Sequence, residues 1–229
     1  MLSVFCMALL AACSTPKLPS AIQPVATAPQ YFPVISATPT VSATAGEHFA
    51  QGKDYAAKEK YKEAAQEFTQ AISLDREFVN AYIERGIAYR NLGDYKAAMA
   101  DFDQAIQFVP PSAVAFRERA MVHMLRGNYT KALPDYEQAI KIKPNDAESY
   151  LGRSQAYVLA ESPDKALADV NRALLLKPQW PEALFNRAQI LRLKGQTKNA
   201  IADLNSVLKL NPDENLRQQV EKLLKELGT

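Results

Sequence analysis

Apolar positions in the central part of the chain recur with the spacing of a helix face. Tyr82, Gly86 and Tyr89 lie at i, i+4 and i+7, which places them on one stripe of an α-helix. The residues after this stripe include Gly93, which suits a left-handed helix end, and Asp94, which suits the cap of a following helix. A second stripe with helical spacing follows: Ala98, Phe102, Ala105 and Ile106. The pattern therefore predicts two helices joined by a short turn.

This helix hairpin occurs five times with a period of 34 residues. The first alanine of the second stripe is identical in every copy: Ala64, Ala98, Ala132, Ala166 and Ala200. The copies continue to Glu214 without an insertion, and they begin at Ala45, Val79, Ala113, Ala147 and Pro181. One hairpin cannot bury its own apolar stripe, so neighbouring copies are expected to stack into a solenoid.

A 34-residue period with small, aromatic and proline positions in this order resembles the tetratricopeptide repeat. The resemblance implies an all-α fold, an α-solenoid of five helix hairpins wound as a right-handed superhelix. The repeats are placed at residues 45–78, 79–112, 113–146, 147–180 and 181–214. After them, residues 215–229 carry Leu216, Val220 and Leu223 on one side of a predicted helix. We expect this C-terminal helix to cover the last apolar face of the array.

The first residues of the chain have the character of an export signal. Residues 1–12 carry no charge and are mostly apolar, yet they are too few to span a bilayer, which needs about 20 residues. The sequence Leu10-Ala11-Ala12-Cys13 resembles the bacterial lipobox, which implies removal of a signal peptide at residues 1–12 and lipidation of Cys13. The alternative is an apolar segment that contains a cysteine by chance, and the absence of Lys or Arg before the apolar run counts in its favour.

Residues 13–44 separate the candidate signal from the repeats. They are rich in Pro, Ala, Ser and Thr, and Lys17 is their one charged side chain. The repeated prolines exclude a helix, so we expect a disordered, extended linker that holds the repeats clear of a membrane. In a bacterium with two membranes, Ser14 after the lipidated cysteine would favour the outer membrane.

Charge and composition argue against several classes of function. The 27 basic and 25 acidic residues give a net charge of +2 and are spread along the repeats, so nucleic-acid binding is not expected. Both cysteines, Cys6 and Cys13, precede the repeats, which therefore have no disulfide. His48 and His123 lie at stripe positions and are interpreted as core residues. With no phosphate loop, metal motif or nucleophile–base pair, we expect no enzyme activity, no cofactor, no metal and no small-molecule substrate.

Two rows of charged residues border the apolar stripes in the last four repeats. An arginine precedes the Gly86 position and an aspartate precedes the Phe102 position: Arg85, Arg119, Arg153 and Arg187 with Asp101, Asp135, Asp169 and Asp203. The first repeat changes both together, to Gln51 and Glu67. Each row lies at the edge of the contact between the two helices, where Arg–Asp pairs would join them. The alternative is that the arginines form an anion-binding ladder.

The adjoining face of each first helix is the candidate binding groove, because its residues point away from the second helices. Down the array this face carries Ile83, Ile87, Arg90, Arg117, Met121, Met124, Leu151, Gln155, Phe185, Gln189 and Arg192. An apolar floor with methionines and a few arginines suits an amphipathic or extended partner segment that contains some acidic residues. The alternative for several of these side chains is packing against the neighbouring repeat.

These features favour a non-enzymatic protein-interaction scaffold that is tethered by lipid to a bacterial membrane. In the expected location, the extracytoplasmic side of the cell envelope, the groove would bind a partner protein or peptide. The similarity in plan to bacterial lipoproteins with tetratricopeptide arrays implies a role in assembling envelope complexes. Two alternatives remain, a soluble adaptor and an accessory subunit that regulates an enzyme.

Overall fold

The computed structural model describes residues 43–228, and the regular structure in this range is entirely α-helical. Its helices are α1 Ala45–Ala57, α2 Tyr61–Leu74, α3 Val79–Asn91, α4 Tyr95–Gln107, α5 Ala113–Leu125, α6 Tyr129–Ile142, α7 Ala147–Leu159, α8 Pro163–Leu176, α9 Pro181–Leu193, α10 Thr197–Lys209 and α11 Glu214–Glu226. The first helices of the five hairpins, α1, α3, α5, α7 and α9, begin at the first residue of each repeat. The candidate signal peptide, Cys13 and the linker up to residue 42 lie outside the described residues.

The helices of residues 43–228 pack in sequence order, each against the helix before it and the helix after it. The first helices of successive hairpins also contact one another, α1 with α3, α3 with α5, α5 with α7 and α7 with α9, whereas the second helices are more widely spaced. A stack whose first helices are closer together than its second helices must curve, so the first helices line a concave surface. The predicted α-solenoid of five helix hairpins is confirmed.

Small residues form the closest contact between the two helices of each hairpin. The alanine at the Ala98 position has no exposed surface in any of the five repeats. The same is true of the Ala105 position, which is occupied by Val207 in the fifth repeat. Phe68 and Phe102 fill the space beside these residues and are also fully buried. The predicted stripes therefore form the core, and a larger side chain at an alanine position would force the two helices apart.

Tyr136, which occupies the Phe102 position in the third repeat, contacts the next hairpin. In the first two repeats a phenyl ring lies against a glycine of its own hairpin: Phe68 on Gly52, and Phe102 on Gly86. The third repeat has Ala120 at this glycine position, and its Tyr136 reaches Gly152 of the fourth repeat. A Cβ atom at Gly152 would come within 2.5 Å of the Tyr136 ring. Gly152 thus makes room for a large aromatic side chain between the third and fourth repeats.

The turn in the second repeat has the predicted cap residues. Gly93 follows α3 with a positive φ of 79°, a conformation that glycine adopts without steric cost. The Asp94 carboxylate accepts a hydrogen bond from the Ala97 amide at 3.0 Å and so caps α4. At the start of the array, Thr44 and Glu47 cap α1 by exchanging hydrogen bonds between side chain and main chain.

Helix α11 closes the array. It begins at Glu214, one residue before the predicted start, because the Asp213 carboxylate accepts a hydrogen bond from the Leu216 amide at 2.8 Å. Its buried side chains join the core of the last two repeats: Leu216, Val220 and Leu223. Over residues 43–228, no helix combines the length and the apolar character that crossing a membrane requires.

Candidate binding groove

Two of the predicted groove residues are buried. Ile83 is 5% exposed and packs with Ala105 and Ala115, and Leu151 is 7% exposed within the core of the last two repeats. Both therefore pack against neighbouring repeats, because successive first helices lie in contact with each other. Ile87 also packs against two core clusters, although part of it stays exposed. The apolar floor is accordingly smaller than the sequence pattern indicated.

The arginines in the central part of the groove are engaged by acidic groups of the chain itself. Arg90 Nη1 lies 3.4 Å from Glu118 Oε2, and Arg117 Nη2 lies 3.3 Å from Glu118 Oε1. Arg117 Nη1 also pairs with Asp146 Oδ2 at 3.0 Å. Because both positive charges are already compensated, the central groove attracts acidic partner residues less than its sequence indicated.

Asp146 is enclosed at this face, with 2% of its surface exposed. It caps α7 by accepting hydrogen bonds from the amide and the hydroxyl of Ser149, and it also pairs with Lys143. Burial alone would raise the pKa of Asp146, but the hydrogen bonds from Ser149 and the charge of Arg117 outweigh burial and hold that pKa below its usual range. The carboxylate is therefore ionised at neutral pH and stabilises the start of α7.

Burial also raises the pKa of two further groups near the central groove, Glu84 and Tyr136. Burial raises the pKa of the Glu84 carboxyl; the nearby charge of Lys53 opposes this shift and that of Glu118 adds to it. The Tyr136 hydroxyl is buried without a hydrogen-bond partner among the described residues, and burial raises its pKa. Tyr136 is therefore neutral at any physiological pH.

The Arg–Asp rows join helices within a hairpin and also join successive hairpins. Each arginine donates from Nε and Nη2 to the two carboxylate oxygens of the aspartate 16 residues later, at 2.6–2.9 Å: Arg85–Asp101, Arg119–Asp135, Arg153–Asp169 and Arg187–Asp203. Arg119 Nη1 also reaches Asp103 of the preceding hairpin at 2.7 Å. Arg85 and Arg187 reach back in the same way, to Thr69 and Asn171. The pairing confirms the structural interpretation of these rows over that of an anion ladder.

The histidines are placed among packed side chains. His48 Nδ1 lies 2.6 Å from Glu67 Oε2, so in the first repeat the acidic residue at the Asp101 position pairs with His48, while Gln51 occupies the Arg85 position. Burial lowers the pKa of His123, which favours its neutral form. Among residues 43–228, His, Cys, Asp and Glu side chains nowhere gather into a group that would hold a metal ion.

The C-terminal part of the groove is an open cleft between α9 and α11, which we call the α9–α11 cleft. One part has a volume of about 450 Å³ and is lined by Gln155, Glu182, Phe185, Asn186, Gln189, Asp213, Asn215, Leu216 and Gln219. A second part, of about 220 Å³, shares Phe185, Gln189 and Gln219 and continues to Arg192, Lys222, Leu223 and Glu226. Four predicted groove residues therefore meet here: Gln155, Phe185, Gln189 and Arg192. Met121 and Met124 lie nearer the centre of the array and are partly exposed.

Comparison with known proteins identifies the repeats. Models of the tetratricopeptide repeat match residues 49–113 and 154–225, and a TPR repeat model matches residues 120–160. The chain is a tetratricopeptide repeat (TPR) protein. Among curated proteins, none shows significant sequence similarity to it.

Solved structures with the same fold include other TPR proteins. A thermophilic TPR protein from Thermus thermophilus is 20% identical with a TM-score of 0.69, over 79% of this chain and 99% of that one. MamA from Desulfovibrio magneticus RS-1 is 22% identical with a TM-score of 0.63, over 74% and 96%. YrrB is 20% identical with a TM-score of 0.59, over 78% and 92%. At these identities the likeness shows the TPR fold.

The residues that α11 contributes to the cleft of this TPR protein were not predicted from the sequence. Asn215 and Gln219 lie on a helix outside the repeats, which was expected only to cover the core. Asn186 was also missed, because its repeat position holds Glu118 in the third repeat. The one available signal was that Gln155 and Gln189 occupy the same repeat position, so that two amides recur on the concave side.

Proposed function

We propose that this TPR protein is a protein-interaction scaffold that binds a segment of a partner protein on the concave surface of its first helices. The α9–α11 cleft carries the proposal, because it presents Phe185, Gln189 and Gln219 together in an open cavity. The packed hairpins hold this surface in place before a partner binds, which lowers the entropic cost of binding. YrrB, which has a similar structure, is described as a TPR protein with an unusual peptide-binding site.

The proposed activity is binding rather than catalysis. Charged side chains in the central groove pair with one another, as Arg117 does with Glu118 and Asp146. Carboxamides dominate the α9–α11 cleft, and a carboxamide donates and accepts hydrogen bonds without transferring a proton. A role as an accessory subunit of an enzyme would use the same surface, with the enzyme as the partner.

Site-specific crosslinking tests the binding surface. A photo-activatable amino acid would replace Met121, which is partly exposed on the first helix α5, in cells that produce the protein. The control position is Gln138, which is exposed on the second helix α6. We expect a discrete crosslinked partner from position 121 and none from position 138. Crosslinks from position 138 alone, or from neither position, would refute a concave binding surface.

We also propose that lipidation of Cys13 tethers the protein to the extracytoplasmic side of a bacterial membrane, where it would serve in assembling envelope complexes. The support is the sequence Leu10-Ala11-Ala12-Cys13 followed by a proline-rich segment with one charged side chain. Two or three acyl chains hold a protein stably, whereas one binds marginally. Cys13→Ser should move the protein from the membrane fraction to the soluble fraction. An unchanged distribution would contradict the tether.

A further inference from the structure

Large apolar side chains are exposed at one edge of the array, where each second helix ends and the next hairpin begins. Leu175, near the C-terminal end of α8, is 69% exposed, more than any other large apolar side chain in the helices of residues 43–228. Ile142, the last residue of α6, is 40% exposed. Trp180, the single tryptophan of the chain, is partly exposed just before α9. Scattered exposed leucines are common on soluble proteins, but three large apolar side chains at one edge favour a contact surface.

Basic side chains lie among these apolar residues. Lys141, Leu175 and Lys209 occupy the same repeat position on α6, α8 and α10, so Leu175 lies between two lysines along the stack. Arg172 lies on the same face of α8, one turn before Leu175. Lys141, Arg172 and Lys209 are exposed and form no ion pair with the described residues. The exposed carboxylate of Glu137 lies a turn before Lys141, and the basic side chains still outnumber it.

These apolar and basic residues together form a surface that we call the basic edge: Lys141, Ile142, Arg172, Leu175, Lys177, Trp180 and Lys209. The first two repeats have Ser73 and Gln107 at the position of Leu175. The row of two lysines and a leucine therefore belongs to the last three repeats.

Aromatic rings hold two side chains of the basic edge in place. Lys177 Nζ lies 4.8 Å from the centre of the Trp180 ring, and Lys177 also pairs with Glu148. The Arg172 guanidinium lies 6.0 Å from the centre of the Tyr150 ring. Tryptophan and tyrosine rings are enriched at the level of lipid headgroups, and lysine and arginine extend their charged ends to the same level. This combination is therefore typical of a surface that contacts a membrane.

We propose that the basic edge binds the surface of a membrane that contains anionic lipids. Leu175 enters the boundary between headgroups and acyl chains, and Lys141, Arg172 and Lys209 contact the headgroup phosphates. The edge consists of exposed helix ends rather than a cleft, and a fluid bilayer adapts to such a surface, whereas a protein partner needs a complementary shape. This inference goes beyond the proposed function, because it requires neither a partner in the concave groove nor an acyl chain on Cys13.

The composition of the basic edge predicts binding that depends on salt. Each basic side chain near an anionic surface strengthens binding about fivefold, so Lys141, Arg172 and Lys209 together contribute on the order of a hundredfold. Transfer of the Leu175 side chain out of water contributes about a further tenfold. The contribution of the basic side chains should be lost at high ionic strength, because salt screens exposed charges.

Quenching of Trp180 fluorescence tests this inference, because the chain has no other tryptophan. The protein is the full chain with Cys13→Ser, so that no acyl chain at this residue contributes to binding. It is mixed with vesicles of phosphatidylglycerol and phosphatidylcholine whose brominated acyl chains quench tryptophan at close range. We expect quenching at low salt and its loss in about 0.5 M sodium chloride. Brominated phosphatidylcholine alone should leave Trp180 unquenched, and equal quenching by both kinds of vesicle, or by neither, would overturn the inference.

Substitutions provide the second measurement. Leu175→Ser should raise the lipid concentration for half-maximal quenching about tenfold, and Lys141→Gln combined with Lys209→Gln should raise it about 25-fold. The matched controls are Leu193→Ser and Lys198→Gln, which change exposed residues at the opposite edge, where α9 ends and α10 begins. Both controls should give the same curve as the chain that carries only Cys13→Ser. Equal curves for all variants would overturn the inference, and so would a protein that binds the basic edge while vesicles leave Trp180 unquenched.

Discussion

Replacing Gly152 by alanine tests how Tyr136 packs between the third and fourth repeats. A Cβ atom at this position would lie 2.5 Å from two ring carbons of Tyr136 and 2.6 Å from its hydroxyl oxygen. These distances are about 1 Å shorter than van der Waals contact, and Tyr136 is only 1% exposed, so its ring has little space to move. Overpacking of this kind costs about 1–3 kcal/mol, while replacing glycine inside a helix returns up to about 1 kcal/mol. We expect a net loss of about 1–2 kcal/mol in the free energy of unfolding.

Gly46→Ala is the matched control for this substitution. Gly46 lies in the first turn of α1, and a Cβ atom there would meet only Thr44 Oγ1, at 3.9 Å. This variant should be as stable as the unmodified chain or more stable by up to about 1 kcal/mol. The assay is equilibrium unfolding in urea followed by circular dichroism. Midpoints are compared between variants, because an array of repeats need not unfold in a single step.

A second substitution separates the clash from other effects of Gly152→Ala. Tyr136→Val removes the ring, and Val170 shows that the equivalent position of the fourth repeat accepts valine in a fully buried site. In the Tyr136→Val background, Gly152→Ala should no longer be destabilising. The reasoning would be refuted if Gly152→Ala matched Gly46→Ala in stability, or if its cost were the same with and without the tyrosine ring.

Three further predictions concern the rest of the array. Ala98→Leu should lower the free energy of unfolding by about 1–3 kcal/mol, because Ala98 lies at the close contact between the two helices of its hairpin. Ala100 is exposed on the same helix, so Ala100→Leu should leave the stability unchanged. Equal melting temperatures for the two variants would contradict the close helix contact at Ala98. Arg119→Met should be tolerated better together with Asp135→Leu, because alone it leaves a buried carboxylate without its partner; a double-mutant cycle without coupling would exclude this pairing. Asp146→Asn should be less stable than the unmodified chain at pH 7. Because the pKa of Asp146 is lower in the folded chain than in the unfolded chain, its carboxylate stabilises the fold at pH values above the unfolded pKa. The difference in stability between Asp146→Asn and the unmodified chain should therefore vanish as the pH falls below the usual value of 3.8 and through the lower folded pKa. A difference in urea midpoint that does not depend on pH would contradict this prediction.

The hairpins were predictable because the residues that form the helix contacts recur at the same positions in each repeat. Ala98 and Phe102 occupy positions that recur every 34 residues, and the recurrence distinguishes core residues from chance apolar ones. The Arg–Asp pairs were predictable for the same reason, since the positions of Arg119 and Asp135 both change in the first repeat, as expected for residues that contact each other. The hydrogen bond from Arg119 to Asp103 of the preceding hairpin was not predictable, because it depends on the spacing between hairpins.

The binding surface was less predictable because it depends on contacts between repeats. Helical phase places Ile83 and Leu151 beside the core stripe, but the close approach of successive first helices decides that both are buried. The partner of Arg117 is Asp146, 29 residues away, where the chain leaves the third repeat and caps α7. Gln219 enters the cleft from α11, whose position relative to α9 has no counterpart inside the repeats.

Hydroxyl-radical footprinting of the chain, with and without the partner recovered by crosslinking, measures most directly whether the concave surface binds that partner. The reagent labels exposed sulfur, aromatic and aliphatic side chains, so first and second helices are compared in one experiment. Met121 on α5 and Phe185 on α9 should be protected in the complex, while Met99 on α4 and Leu175 on α8 should be labelled equally in both states. Protection of Met99 and Leu175 with unchanged labelling of Met121 and Phe185 would contradict binding to the first helices.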